Sequence, residues 1–467
     1  DEAHYWEWSR HIDWSYYSKG PMIAYLIYLG TALFGDTVFG VRIFAVVLSA
    51  ASSLLVYCIA RDLYDEKTGL ASGLLIQIVP LYSIYGILLT IDSPFMFFWI
   101  LSLYLFHKLL ERQLNAFPGK RFDYYWILLG LSIGLGLLTK YTLAFFYLSG
   151  FLFMLASRDT RKLLFTAGPY AALVVSLAVF SPVILWNAAN DWVTMKHTAG
   201  QAHVAEGLRI SAESFFEFIG SQIGVITPVL FILIAIALWR LRREKQGALL
   251  FWFSMPTIVF FILKSIQGKV QANWALPGYA TGFIAFSAYY IRNIESSKRG
   301  VKLLVTSGIL LALLVTIFAH FPEMLHLPQK MDPTSRLAGW KELGSEASTV
   351  YREMSGSAPV FIFSDKYQVA SQLAFYIDGH PQTYCINLGR RMNQYDLWPG
   401  FESFIGYNAV FVRTSAEGLP GEVGEAFGHC EKKPVTVQTK KKKKIMKFTI
   451  FKCYDFKGMK IKKTERF

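Results

Sequence analysis

The sequence predicts a mostly α, polytopic membrane protein with an α/β domain at its C-terminal end. Composition is the first observation behind this. Of 467 residues, 53% are hydrophobic and 17% charged, with a mean hydropathy of +0.34, whereas an average soluble domain carries roughly 25% charge. The second is arrangement. Apolar residues gather into runs long enough to cross a bilayer until about residue 320, and beyond it the runs become short and alternating. The third is the 16% aromatic content, much of it where apolar runs meet polar ones, as membrane interfaces favour.

A spanning helix needs roughly 20 mostly apolar residues to cross about 30 Å of hydrocarbon. Ten segments qualify: 41–60, 68–88, 94–111, 124–139, 141–157, 163–185, 221–240, 248–265, 274–292 and 301–320. The fourth and fifth share a tight turn at Lys140-Tyr141 and are the shortest. Pro21 to Phe34 is apolar but too short to span, and reads as a helix lying along the membrane surface. The chain opens at Asp1 without Met, signal peptide or apolar run. The expectation is that one spanning helix and a short cytoplasmic leader precede it.

Charge sets the orientation. One set of alternate loops carries Arg61/Lys67, Arg112/Lys120/Arg121, Arg158/Arg161/Lys162, Arg240/Arg242/Arg243/Lys245 and Arg292/Lys298/Arg299/Lys302. The opposite loops hold isolated cations only: Arg10, Lys19, Lys140, Lys196, Arg209, Lys264 and Lys269. Cytoplasmic loops are the Lys/Arg-rich ones, so the start of the chain, the long 186–220 loop and everything after His320 are expected outside. The net charge of +14 is thus dispersed as a topology signal, and does not form a nucleic-acid-binding stripe.

Past His320, Val360–Phe363, Thr383–Ile386, Ala409–Val412 and Met446–Tyr454 read as strands, with Tyr367–Tyr376 a helix between the first two. Three regions follow: 1–40 as a first outer loop with its surface helix, 41–320 as the membrane domain, and 321–467 as an outer α/β domain. Cys58 sits in an apolar run and reads as inert. Among Cys385, Cys430 and Cys453 one pair can bridge and one thiol is left over. Lys440–Lys444 reads as a solvated edge or turn ahead of a strand, with a lipid- or nucleic-acid-binding patch as the other reading.

The stretch Asp1-Glu2-Ala3-His4-Tyr5-Trp6, followed by Trp8, Arg10, His11, Asp13, Trp14, Tyr16, Tyr17 and Lys19, concentrates acids, cations and aromatics in one outer segment. Carboxylates can take protons from hydroxyls, aromatic faces suit sugar rings, and cations suit phosphate. An interfacial aromatic belt explains the same composition. At Asp92-Ser93-Pro94, Ser93 as N-cap with Pro94 at the first helical position accounts for the pattern without chemistry. Arg42, at the start of an apolar run, also fits an interfacial anchor whose charge reaches for water.

Asp1 through Met22 resembles the first outer loop of bacterial GT-C membrane glycosyltransferases. These form the protein-O-mannosyltransferase-like superfamily (glycosyltransferase family 39 type), which includes the lipid A aminoarabinose transferases. Further matches follow collinearly over nearly the whole chain. They are Gly40-Val41-Arg42, Thr90-Ile91-Asp92-Ser93-Pro94 with Phe97-Phe98-Trp99, Gly134 through Tyr141, Ser181 through Asn187, Asn273-Trp274-Ala275-Leu276-Pro277 and Asp365-Lys366-Tyr367-Gln368.

The resemblance implies a bacterial inner-membrane enzyme with a periplasmic active site. Such an enzyme moves a sugar from a polyprenyl-phosphate donor, undecaprenyl phosphate being favoured, to lipid A, a glycan or a protein, with inversion. The family's acid at the start of this loop matches Asp1, implying a general base or orienter of the acceptor, with Glu2 assisting. Lys19, Arg42 and Lys140 are implied as ligands of the lipid phosphate, although Gly20 intervenes between Lys19 and Pro21 where the family has Lys-Pro. Asp92, Tyr16, Tyr17 and Tyr141 are implied as substrate contacts.

The aminoarabinose branch carries an acid just before the loop lysine, near which a cation can bind. Ser18 stands there in this chain, so no metal or other cofactor is assigned, and a divalent metal stays possible but unsupported. His4, His11, His197 and His203 are single outer-side histidines. A transporter or flippase of lipid-linked sugars is the alternative function, but internal repeats and helices broken near mid-membrane, which that class favours, are not evident. A non-catalytic membrane protein using its α/β tail to bind a partner is the third.

Overall fold

The structure is a computed structural model that describes residues 1–114, 123–201, 210–326, 328, 338–356, 358–414, 418–439 and 444–459. Lys120, Arg121, His203, Arg209 and Lys440–Lys443 lie outside the described residues. The chain forms two compact units. One comprises Asp1–Ser18, Ile27–Asp36 and Pro322–Phe467, and the other Lys19–Leu26 and Thr37–Phe321.

The second unit is helical. Among the described residues, five helices are long and apolar enough to cross a membrane: Val38–Leu63, Asp92–Gln113, Ala167–Ala189, Lys245–Ser265 and Arg299–His320. Two bent pairs, Tyr141–Ala156 with Arg158–Phe165 and Ala212–Ile226 with Pro228–Leu241, raise the number to seven if each is one span. The other expected spans have shorter helical pieces in their place.

The run expected at 68–88 is Glu66–Ile78 followed by Pro80–Tyr85. Pro80 lacks an N–H and pushes Val79 out of the helical region, and Val79 is extended at ψ 128°. Tyr125–Leu137 has 13 residues, about 20 Å at 1.5 Å per residue. The run at 274–292 is composite: a tight turn at Ala272–Ala275, α-helix over Leu276–Phe286 and a wider turn through Ile291. Among its described residues the expected 186–220 loop is largely helical, containing Val193–Gln201 and the start of Ala212–Ile226. The span expected at 221–240 instead bends by 95° at Thr227, whose φ is +76°, just ahead of Pro228. The core between these helices is aromatic, with Phe253 at 4.8 Å from Phe146 and 5.5 Å from Phe106 between ring centroids.

Among the described residues the first unit holds five strands: β1 (Val360–Ser364), β2 (Thr383–Cys385), β3 (Asn408–Arg413), β4 (Phe427–Thr439) and β5 (Lys444–Phe456). Their order in the sheet is β2-β1-β3-β5-β4, with β1 parallel to β2 and β3 and β5 antiparallel to β3 and β4. Alternation sorts the side chains. Ile362, Val410, Val412 and Ile450 pack with helix Trp340–Ser355, whereas Phe361, Phe363, Phe411 and Phe451 form an aromatic cluster. Helix Tyr367–Tyr376 has the bounds its apolar pattern predicts.

Cys430 lies opposite Cys453 in the β4–β5 register and is bonded to it. The thiol left over is Cys385, whose buried position pushes its pKa up to about 12. Residues 2–9, expected as loop, are a helix, Glu2–Ser9. It packs on Tyr367–Tyr376 within the same unit: Trp6 sits edge-on to Phe375 at 5.0 Å, and His4 Nδ1 is 3.0 Å from Ser371 Oγ.

Candidate functional site

Polar side chains meet in the helical unit where three chain segments converge: the Lys19–Leu26 elbow, the start of helix Asp92–Leu114 and the turn after Tyr125–Leu137. Lys140 is buried and extended at φ −152°. Its Nζ lies 2.9 Å from Asp92 Oδ1 and 5.2 Å from the centre of the Phe95 ring. The other carboxylate oxygen, Asp92 Oδ2, accepts a 2.7 Å bond from Asn273 Nδ2. Asp92 is the first residue of its helix, so the carboxylate favours the positive end of that helix as well. Ser93 is not the N-cap. Its hydroxyl is 2.7 Å from the Tyr85 carbonyl and 3.0 Å from that of Leu88, tying the helix start to the preceding segment.

Lys19 belongs to this group. Loss of hydration and, after it, the Lys140 charge bring its pKa down to about 8 against the opposing pull of Asp92. Gly20 explains the departure from Lys-Pro. The chain passes so close to Leu138 that any Cβ at residue 20 would collide with the Leu138 carbonyl oxygen. Met22 N–H donates to that same carbonyl at 3.2 Å. The glycine elbow therefore fixes Lys19 against the segment that carries Lys140. Two lysines and one carboxylate leave the group one positive charge in excess. In a water-poor setting such charge is best met by an anion.

The structure thus brings together Lys19, Asp92 and Lys140, and adds Asn273. Sequence reasoning met Asn273 only as part of a matched motif, since nothing local distinguishes a ligand asparagine. Tyr141 follows Lys140, with its ring 5.5 Å from Phe180 and packed beside Leu138. Arg42 is half-buried in the second turn of helix Val38–Leu63.

Asp1, Glu2, Tyr16 and Tyr17 lie in the other unit. Asp1 is exposed at the N-cap of helix Glu2–Ser9. Tyr16 and Tyr17 are buried. The Tyr16 hydroxyl lies 3.0 Å from the carbonyls of Trp8 and His11, its ring stacks on Trp8 at 4.4 Å, and Tyr17 N–H donates to Gln394 Oε1 at 2.6 Å. These placements give both tyrosines a part in shaping the segment. A carboxylate not singled out from sequence, Glu7, is also buried there. Its pKa rises to about 7 through lost hydration, against the opposing charge of Arg10 at 3.4 Å.

Residues 18–186 match the family described as dolichyl-phosphate-mannose-protein mannosyltransferase. The chain is 28% identical over 354 residues to a lipid A galacturonosyltransferase, RgtD, of Rhizobium johnstonii, covering 75% of this chain and 72% of that one. It is 39% identical over 175 residues to the undecaprenyl phosphate-alpha-4-amino-4-deoxy-L-arabinose arabinosyl transferase of Pseudomonas aeruginosa, covering 35% of this chain and 29% of that relative. ArnT from Cupriavidus metallidurans, solved bound to undecaprenyl phosphate, superposes with a TM-score of 0.61 at 14% identity, over 96% of this chain and 93% of that one. Over residues 18–186 the chain thus resembles this mannosyltransferase family, and its fold is that of ArnT. The Archaeoglobus fulgidus oligosaccharyltransferase shares the fold at a TM-score of 0.53 and 13% identity, over 89% of this chain and 65% of that one. The matched segment, 18–186, contains Lys19, Arg42, Asp92, Lys140 and Tyr141.

Proposed function

We propose that this GT-C chain transfers a hexose or pentose from an undecaprenyl-phosphate-linked donor to lipid A on the periplasmic side of the inner membrane, with inversion at the anomeric carbon. The observation that carries the reading is the cationic group of Lys19 and Lys140 around a single carboxylate, Asp92, itself held by Asn273. As the bond from sugar to phosphate breaks, negative charge builds on the departing phosphate. Fixed ammonium groups in a site that excludes water stabilise that charge without reorganising. Asp92 holds Lys140 in place, and Arg42 and Tyr141 serve the donor from the same unit. Asp1 is the general base for the acceptor hydroxyl, with Glu2 assisting and Tyr16 and Tyr17 ordering the segment that follows.

The full reading includes ten spans, a membrane domain over 41–320, and the outer placement of 1–40 and 321–467. The Cys430–Cys453 bond supports that placement, since disulfides persist in the periplasm and are rare in the cytosol.

The test is transfer from undecaprenyl-phosphate sugars (aminoarabinose, galacturonic acid and mannose in parallel) to lipid A by the purified chain in lipid nanodiscs. Asp1→Asn is expected to cut turnover by about 10²–10⁴-fold, the usual share of a positioned base, while leaving unfolding temperature unchanged. Undiminished turnover in that variant would remove Asp1 from the mechanism.

A further inference from the structure

A second polar cluster lies in the helical unit at the end carrying Arg61, Arg158 and Arg242, opposite in the chain's loop alternation to Lys19 and Lys140. His107 and Glu111 are one helical turn apart on Asp92–Leu114 and so share a face, and Asp62 reaches them from the last turn of Val38–Leu63. His107 Nε2 is 3.3 Å from Glu111 Oε1 and 4.0 Å from Asp62 Oδ2. The three ligand-capable atoms fall within 4.8 Å of one another. The His107 side chain is 5% exposed, yet its Nε2 makes no hydrogen bond. It borders a cavity of about 680 Å³ whose wall also includes Asp62, Glu111, Arg242, Arg243 and Lys245.

This arrangement poses an electrostatic problem. Two carboxylates gather negative charge beside a buried imidazole nitrogen that makes no hydrogen bond, and leaving such a group unsatisfied is costly. A cation at the centre of the three resolves both. The carboxylates already hold one, because Lys108 Nζ stands 2.6 Å from Asp62 Oδ2 and 2.8 Å from Glu111 Oε2. That ammonium pairs with both acids but leaves the imidazole unused. It sits on a flexible stem and is partly exposed, so it can swing away from the acids.

We propose that Asp62, His107 and Glu111 form a binding site for a divalent first-row metal ion, with Lys108 as the counter-ion that the metal displaces. One imidazole and two carboxylates are a suitable donor set for zinc or cobalt, and the cavity leaves the remaining coordination positions open. The site is separate in sequence and chemistry from the Lys19–Asp92–Lys140 group, and the inference does not depend on the transfer reaction.

The experiment is titration of the purified full chain, without a histidine tag, with Co²⁺, read by visible d–d absorption, and with Zn²⁺ by competition. One tight equivalent is expected. His107→Gln and Glu111→Gln should each weaken it by at least the roughly 10–100-fold that even an outer-shell change costs. Lys108→Met should tighten it, and this variant leaves all three ligands in place should the others fail to fold. Absence of a tight equivalent in both the native chain and Lys108→Met overturns the proposal, as does unchanged affinity in a folded His107→Gln.

Discussion

Replacing Asp92 with Ala tests the centre of the candidate site most directly. Its side chain is 4% exposed and that of Lys140 10%, so solvent cannot readily take over the released ammonium. Removing one partner of a buried ion pair costs about 3–5 kcal/mol, because the other charge stays behind unpaired. Asn273 loses its 2.7 Å acceptor at the same time, which adds to the loss unless water replaces the carboxylate. Lys140→Met alone should cost less, because Asp92 keeps Asn273 as a donor. The double variant should recover part of the Asp92→Ala loss, giving a coupling of about 0.5–3 kcal/mol between the positions. The readout is thermal unfolding of the purified chain in micelles, paired with the transfer assay. If Lys140 holds donor phosphate, the double variant regains stability but not turnover. Asp92→Ala unfolding at the native temperature would refute the buried pair, and an active double variant would refute the role of Lys140.

The depressed pKa of Lys19, about 8, gives two pH effects. Donor affinity should fall as pH rises through about 8, where the ammonium is lost, and Lys19→Arg should flatten that profile because guanidinium stays charged. For stability the sign is opposite. The unfolded lysine holds its proton up to about 10.4, so burying Lys19 charged is penalised fully below pH 8, and the penalty fades as pH rises between those values. Gly20→Ala should lower the unfolding temperature and weaken donor binding together, since the added methyl forces residue 20 away from the Leu138 carbonyl; an unaffected variant would show that the elbow does not position Lys19. Alkylation of the unreduced, denatured chain should label Cys58 and Cys385 only, with Cys430 and Cys453 labelled after reduction. Cys453→Ser should cost about 3 kcal/mol, the chain-entropy value for closing a loop of this size, read as a lower unfolding temperature of the unit that carries the sheet.

Much of the fold was legible because its causes are local. Val38–Leu63 and Arg299–His320 are long apolar runs bounded by polar residues, and β1, β3 and helix Tyr367–Tyr376 announce themselves by the period of their apolar side chains. Two long elements of the tail escaped for equally physical reasons. Strand β4 carries His429, Glu431, Lys432, Lys433 and Pro434, a charged and proline-containing sequence suited to a sheet edge, and it lacks the alternation that marks a half-buried strand. Helix Trp340–Ser355 is polar on average and shows its apolar stripe only at Leu343, Ala347, Val350 and Met354.

By itself, then, the sequence determined that the chain belongs in a membrane, where its apolar runs lie, and which residue types were concentrated for chemistry. Those properties follow from composition and short-range period. Only the tertiary structure decided that Asp92 is paired with Lys140 across 48 residues and with Asn273 across 181. It also decided that Gly20 is demanded by the Leu138 backbone, and that the helix Glu2–Ser9 packs on Tyr367–Tyr376 in the tail. Such pairings depend on which surfaces meet when the chain closes. A carboxylate at a helix start has the same sequence signature whether it faces water, a cap or a buried lysine.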